Sequence, residues 1–185
     1  MRTRVGYAGG TTADPTYRRM GDHTETFQVD FDPAVVTFDE LLDVFWGVHS
    51  PTGRPWSTQY ANIAFWRDEA QRDSIAAAVR RVSEELGQTV TTQTRPLDHF
   101  YVAEDYHQKY YLRSDRILMR DFGAMYPGAG DFRESTAAAR ANGYLDGAGD
   151  AAALLAEVDS YGLSAEGREA LLRRTGMPPN ASCGI

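Results

Sequence analysis

The sequence predicts an α/β (α+β) fold, in which a mixed sheet and helices form a two-layer sandwich, followed by a helical C-terminal extension. Two observations support this prediction. The first hundred residues alternate short strand-like runs with two amphipathic helical stretches, whereas the pattern from about residue 105 onward is helical. We therefore expect a core of residues 1–112 and an extension of residues 113–185.

The strands are predicted from alternation and from β-rich composition. The run Arg2–Tyr7 leads into a glycine turn, and Thr24–Phe31 alternates between two faces until Asp32-Pro33 ends it. Three further strands are predicted, at Ala61–Trp66, Thr89–Arg95 and Phe100–Val102. With the two helices between them, the order is β–β–α–β–α–β.

The helices are predicted from their caps and from their apolar stripes. Thr37 and Glu40 have the spacing of a capping box, and Asp68 and Gly87 are suited to begin and end a second helix. The apolar stripes recur at helical spacing: Phe38, Leu41, Leu42, Phe45 and Trp46 in the first helix, and Ile75, Val79, Val82 and Leu86 in the second. Glycine-rich breaks divide the extension into helical segments near 105–125, 131–142, 150–160 and 164–174.

Composition excludes several classes of function. A net charge of −7 disfavours general binding to nucleic acid or to an anionic membrane. No run of about 18 apolar residues predicts a membrane span. The four histidines lack the spacing of metal ligands, so no metal site is expected. No other cofactor is expected either. A single cysteine, Cys183, excludes an intramolecular disulfide, and we predict a cytoplasmic protein.

Glu25 is the first candidate for a chemical role. It opens a predicted strand on the face that also carries Phe27, Val29 and Phe31. A carboxyl directed at an apolar layer is desolvated, which favours the protonated form that a general acid needs. The alternative is a carboxyl at the strand edge that reaches water or an arginine.

Ordered sequence blocks over residues 2–112 resemble the A-type methionine sulfoxide reductases. Each block is weak alone, but their common order is specific. The blocks are Val5-Gly6-Tyr7-Ala8-Gly9-Gly10, Asp14-Pro15-Thr16-Tyr17-Arg18, Gly21-Asp22-His23-Thr24-Glu25, Phe31-Asp32-Pro33, Leu41-Leu42-Asp43-Val44-Phe45-Trp46, His49-Ser50-Pro51-Thr52, Thr58-Gln59-Tyr60 and Ala103-Glu104-Asp105-Tyr106-His107-Gln108.

The resemblance implies roles for three of these residues. Glu25 corresponds to the family's acid, which protonates the sulfoxide oxygen, and Tyr17 and Tyr60 correspond to the tyrosines that hydrogen-bond this oxygen. Phenols and a neutral carboxyl are suitable donors to a sulfoxide oxygen. The implied substrate is methionine S-sulfoxide, free or in a protein, and the implied partner is a thioredoxin-like reductant.

Two departures from the family pattern concern the reaction itself. The family's Gly-Cys-Phe-Trp segment, which contains the nucleophilic cysteine, lies upstream of the block that begins at Val5 and is absent from this sequence. Pro55 replaces an acidic residue, and the adjacent Trp56 is suited either to line an apolar substrate pocket or to pack within its loop. We therefore expect no family-type turnover from the chain as given, unless the true start lies upstream of Met1.

The C-terminal end carries the remaining candidate. Ser182-Cys183-Gly184 is similar to the family's Tyr-Cys-Gly tail, so Cys183 is a possible redox thiol, with an incidental terminal thiol as the alternative. Residues 135–144 resemble the tail of a divergent branch, known also from plants, in which serine can occupy the nucleophile position. Two functions stay open: a methionine sulfoxide reductase, or a non-catalytic methionine-sulfoxide-binding or scaffold protein on the same fold.

Overall fold

A computed structural model describes residues 1–176 of the chain, so Cys183 lies outside the described residues. The chain divides into two compact units. The first, which we call the α/β unit, is Val5–Ala103; the second, the helical unit, combines Met1–Arg4 with the segment that begins at Glu104. The predicted α+β fold class is confirmed, and the division falls at residues 103 and 104, whereas the sequence predicts it at 112 and 113.

Five strands form two small sheets. They are β1 (Arg2–Ala8), β2 (Thr24–Asp30), β3 (Ile63–Trp66), β4 (Gln93–Pro96) and β5 (Phe100–Val102). The first sheet has the order β2-β1-β5, with β1 antiparallel to β5, and the second is the parallel pair β3-β4. Gly6 lies opposite Val102, where a Cβ atom would come within 2.2 Å of the Tyr101 carbonyl oxygen, so this pairing requires glycine.

Both predicted helices of the α/β unit are present. In α1 (Phe38–Gly47) the capping box of Thr37 and Glu40 is complete, and α2 (Glu69–Leu86) begins after Asp68, whose side chain accepts from the Gln71 N–H. Their apolar stripes meet in one buried cluster: Leu42, Trp46, Ala64, Ile75, Ala78 and Val82. The prediction that Leu86 faces inward is wrong, because the helix ends there, at the left-handed Gly87, with Leu86 exposed.

The helical unit contains α3 (Tyr110–Arg113), α4 (Arg116–Met125), α5 (Ala129–Glu134), α6 (Thr136–Leu145), α7 (Ala151–Glu157) and α8 (Ala165–Arg174). Side-chain oxygens of Asp115, Ser135, Asp150 and Ser164 accept backbone N–H groups at the starts of α4, α6, α7 and α8. Their inner faces form one continuous core that includes Leu118, Phe122 and Leu171. The predicted segments near 150–160 and 164–174 contain α7 and α8, whereas the segment near 105–125 is divided into α3 and α4, and that near 131–142 into α5 and α6.

Charged side chains connect Met1–Arg4 to the rest of the helical unit. Arg4 donates through Nε to the Glu134 carboxylate at 2.8 Å, and Lys109 donates through Nζ to the carbonyl and hydroxyl oxygens of Thr3, at 2.6 and 3.0 Å. Lys109 is 5% exposed, and burial lowers its pKa to about 8. The Arg4 guanidinium holds the pKa of Glu134 down at about 2.

Among the helices of the described residues, none combines the length and the apolar character that crossing a bilayer requires.

Candidate functional site

Glu25 lies on the exposed face of β2. The strand's buried side chain is Thr24, which is 3% exposed, whereas Glu25 is exposed and Phe27 keeps 62% of its surface in water. The prediction that Glu25 faces an apolar layer is therefore wrong in this structure. The Thr24 hydroxyl donates to the Thr58 carbonyl at 2.8 Å, so Thr24 faces inward and the adjacent Glu25 faces outward, whereas Val29 further along the strand is half-buried.

Gln59 holds the Glu25 carboxyl in place. Its Nε2 donates to Glu25 Oε1 at 2.7 Å and to the Tyr60 hydroxyl at 3.2 Å. The sequence alternative for Glu25 was a carboxyl that reaches water or an arginine; the observed partner is this amide. Gln59 was not predicted as a site residue, although it belongs to the Thr58-Gln59-Tyr60 block, because an amide carries no acid–base or redox chemistry that marks it in a sequence.

Tyr17 and Tyr60 meet at the same place. Burial raises the pKa of Tyr60 above its ordinary value, as do the nearby Tyr17 phenol, the Glu25 carboxyl and a hydrogen bond between the two tyrosines. The raised pKa keeps the Tyr60 phenol protonated, and so able to donate, throughout the neutral range. Both rings keep a substantial exposed fraction, 43% for Tyr17 and 39% for Tyr60, so a ligand can reach them from solvent.

Trp56 extends this cluster. Its ring stacks on that of Tyr60, with the centroids 4.9 Å apart and the planes 21° from parallel. It is 83% exposed, and Pro55 beside it is also exposed. Trp56 therefore contacts Tyr60, four residues further along the chain, which agrees either with an apolar pocket wall or with packing within the loop.

The turn that leads into β2 is fixed by His23 and Asp22. The Gly10 N–H donates to His23 Nδ1 at 3.2 Å, and His23 Nε2 donates to the Thr12 carbonyl at 2.8 Å. The Asp22 carboxylate accepts from the N–H and hydroxyl groups of Thr11 and Thr12, which holds its pKa far below the usual range. His23 is buried, and hydrogen bonds at both of its ring nitrogens give it a structural role in this turn.

The arrangement is suited to bind a small, strongly accepting oxygen atom. Two phenols and a carboxyl converge within one hydrogen-bonded group, next to an exposed aromatic ring. Within residues 1–176, no three potential metal ligands lie together. The two phenols can donate hydrogen bonds to a neutral polar ligand, whereas the Glu25 carboxyl accepts from Gln59 in this structure.

Comparison with known proteins identifies relatives over most of the chain. A sequence profile described as "Peptide methionine sulfoxide reductase" matches residues 1–125. A Drosophila melanogaster protein named "Peptide methionine sulfoxide reductase" is 38% identical over 91% of this chain and 68% of its own length. "Peptide methionine sulfoxide reductase A5" of Oryza sativa is 36% identical over 78% of the chain, but the match spans only 58% of the rice protein.

A solved structure agrees with these matches. The crystal structure of Mxr1 from Saccharomyces cerevisiae in reduced form superposes with a TM-score of 0.56 and 30% sequence identity, covering 61% of this chain and 70% of the yeast chain. "Peptide methionine sulfoxide reductase MsrA" of Methanococcoides burtonii matches only 60% of the chain. The match to the Drosophila melanogaster protein covers 91% of the chain and so includes most of the helical unit. The chain belongs to the peptide methionine sulfoxide reductase family.

Proposed function

We propose that the chain binds methionine S-sulfoxide through Tyr17, Tyr60 and Glu25 and reduces it to methionine with electrons from thiols. The observation that carries the proposal is the meeting of the three side chains. Gln59 bonds to both Glu25 and Tyr60, and Tyr60 shares a hydrogen bond with Tyr17. Family membership supports the choice of a sulfoxide over other neutral acceptors.

Each of these side chains has its own role in the proposed reaction. The two phenols donate to the sulfoxide oxygen and polarise the S–O bond. A substrate seated over Glu25 removes it from water, which favours the protonated carboxyl, and Glu25 then gives its proton to the departing oxygen. Gln59 is a positioning residue, since it acts through Glu25 and Tyr60.

The electrons come from two thiols. The first thiolate attacks the sulfoxide sulfur and takes over its oxygen, so that methionine leaves and a sulfenic acid forms. The second thiol attacks the sulfenic sulfur, which forms a disulfide and releases the oxygen as water. Because the family's cysteine segment is absent from this sequence, the proposed reaction differs from the family's: Cys183, the chain's one cysteine, is the possible redox thiol that supplies the first thiolate. A thioredoxin-like protein is the proposed donor of the second thiol. A cytoplasmic location suits such a donor.

A non-catalytic methionine-sulfoxide-binding protein is the second candidate. One observation favours it: residues 1–176 contain no cysteine, whereas they contain the complete group of oxygen-binding side chains. In this case the sulfoxide binds at Tyr17 and Tyr60 and is not reduced.

Chromatographic detection of methionine distinguishes the two candidates. Purified chain is incubated with methionine S-sulfoxide and dithiothreitol, beside the R epimer and the variants Glu25→Gln and Cys183→Ser. The reductase proposal predicts methionine from the S epimer only, with a rate that falls about 100-fold or more in Glu25→Gln, because a general acid contributes at least this factor. Binding without methionine formation supports the second candidate, and the absence of both binding and turnover contradicts both. Loss of turnover in Cys183→Ser assigns the thiol.

A further inference from the structure

An exposed aromatic surface continues from the sulfoxide site. Trp56 leaves most of its surface in water, and only one face of its ring is covered, by Tyr60. Together with the partly exposed rings of Tyr17 and Tyr60, it forms an exposed aromatic group, and contiguous exposed apolar surface can mark a ligand-binding place. Within residues 1–176 the ring of Trp56 is largely exposed and stacks on Tyr60, so its other face is open to a second part of the substrate.

The position of Trp56 is linked to the oxygen-binding groups. Tyr60 carries Trp56 on its ring face and receives the Gln59 amide at its hydroxyl. Trp56 therefore lies beside one of the two phenols that the proposed function assigns to the sulfoxide oxygen. A substrate side chain can contact Trp56 only if it lies close to the methionine sulfoxide along the peptide.

We propose that Trp56 is a subsite for an apolar or aromatic side chain two positions from the methionine sulfoxide in an extended peptide. Side chains two positions apart on an extended chain point the same way and are about 7 Å apart. This separation allows one side chain to reach the tyrosines while the other covers Trp56. The subsite deepens the proposed function and rests on it.

The chemistry of the surface selects this occupant. An aromatic side chain gains both apolar burial and ring stacking on the indole. Free methionine sulfoxide instead carries an ammonium and a carboxylate next to its side chain, and placing these charges against an indole costs desolvation. A cationic side chain also stacks on tryptophan, so the arginine peptide below tests whether the surface prefers an apolar occupant.

Three peptides test the subsite by their dissociation constants, measured by calorimetry on the whole chain. Each carries methionine S-sulfoxide between two glycines, with phenylalanine, glycine or arginine two positions away on both sides. We expect the phenylalanine peptide to bind about five-fold more tightly than the glycine peptide, as a stacked aromatic pair contributes. Trp56→Ala should remove this difference, so that the phenylalanine and glycine peptides bind equally tightly. Tyr60→Phe, which keeps the ring that stacks on Trp56, should weaken both peptides and preserve the difference between them.

Val48→Ala is the matched control, because Val48 is also an exposed apolar residue of the α/β unit and should leave every affinity unchanged. Equal binding of the phenylalanine and glycine peptides, or an equal gain with arginine, overturns the subsite and leaves the sulfoxide site standing. If no sulfoxide peptide binds more tightly than its methionine counterpart, the proposed function itself fails, and the subsite fails with it.

Discussion

Buried apolar side chains are distributed differently in the two units. Thirteen of them form a single cluster in the helical unit, whereas the clusters of the α/β unit have six and three members. Of the exposed large apolar side chains in residues 1–176, most lie between Tyr17 and Val102, and Tyr17, Tyr60 and Trp56 among them form the candidate site. The helical unit therefore buries the larger apolar core, while the α/β unit leaves more large apolar side chains exposed, three of them in the candidate site.

The largest effect should follow a cavity in the helical core. Phe122 is fully buried among Leu118, Phe132 and their neighbours, so Phe122→Ala should lower the free energy of unfolding by about 4 kcal/mol. Urea unfolding followed by circular dichroism measures this change. Val44→Ala, at an exposed position of α1, is the control and should stay within about 0.5 kcal/mol of the parent chain. Similar losses for both variants would remove the contrast between the units.

The buried Lys109 should give the helical unit a distinctive dependence on pH. The unfolded chain keeps the Lys109 proton up to its ordinary pKa of 10.5, whereas the folded unit releases it near 8. Between these values the unfolded state binds more protons, so the free energy of unfolding rises with pH, by up to about 3 kcal/mol. Urea unfolding at pH 7.5 and 10.5 measures the rise.

Lys109→Met supplies the comparison for this measurement, because methionine keeps the apolar stem and cannot titrate. The rise in the free energy of unfolding between the two pH values should be smaller in the variant than in the parent. The same rise in both proteins would show that other groups cause it.

Helix caps should matter by an intermediate amount in both units. Thr37→Ala removes the side-chain half of the capping box of α1, and Ser135→Ala removes the cap of α6, whose hydroxyl accepts from the Ala138 N–H at 3.1 Å. Each change should cost about 1 kcal/mol of unfolding free energy. Amide hydrogen exchange locates the loss, which we expect in the first turn of the altered helix. A loss spread evenly over the chain would argue against local capping.

The smallest effect on stability should come from the site itself. Tyr60→Phe and Trp56→Ala alter side chains that keep much of their surface in water, so the unfolding free energy should change by less than about 0.5 kcal/mol. Thermal unfolding measures the change in stability, and a sulfoxide-binding measurement on the same variants shows whether ligand binding changes. A loss of several kcal/mol would mean that these rings stabilise the fold and are not reserved for a ligand.

The sequence predicts the elements whose signals are local. The α1 capping box, the Asp68 and Gly87 limits of α2 and the segments of the helical unit are all found, since caps and apolar stripes act within one or two turns. The division of the strands into two sheets was not predicted, because the pairing of β3 with β4 joins residues about thirty positions apart.

The candidate site was only partly predictable. Alternation placed Glu25 on one face of β2 but could not tell which face is covered, and the Thr24 hydroxyl decided it. Tyr17 and Tyr60 were chosen through a family resemblance, since tyrosines are common and nothing local distinguishes these two. The role of Gln59 depends on contacts 34 residues apart in sequence, which no periodicity reveals.

Stereospecific binding tests the central claim most directly, namely that Tyr17, Tyr60 and Glu25 form a sulfoxide-oxygen site. Tyrosine ring signals are followed by nuclear magnetic resonance while methionine S-sulfoxide or the R epimer is added to the parent chain and to Tyr17→Phe/Tyr60→Phe. We predict that the S epimer shifts the Tyr17 and Tyr60 signals at millimolar concentration and that the R epimer binds at least several-fold more weakly. The double variant should lose S-epimer binding, since each neutral hydrogen bond contributes about 1 kcal/mol. Equal responses to both epimers, or undiminished binding by the double variant, would contradict it.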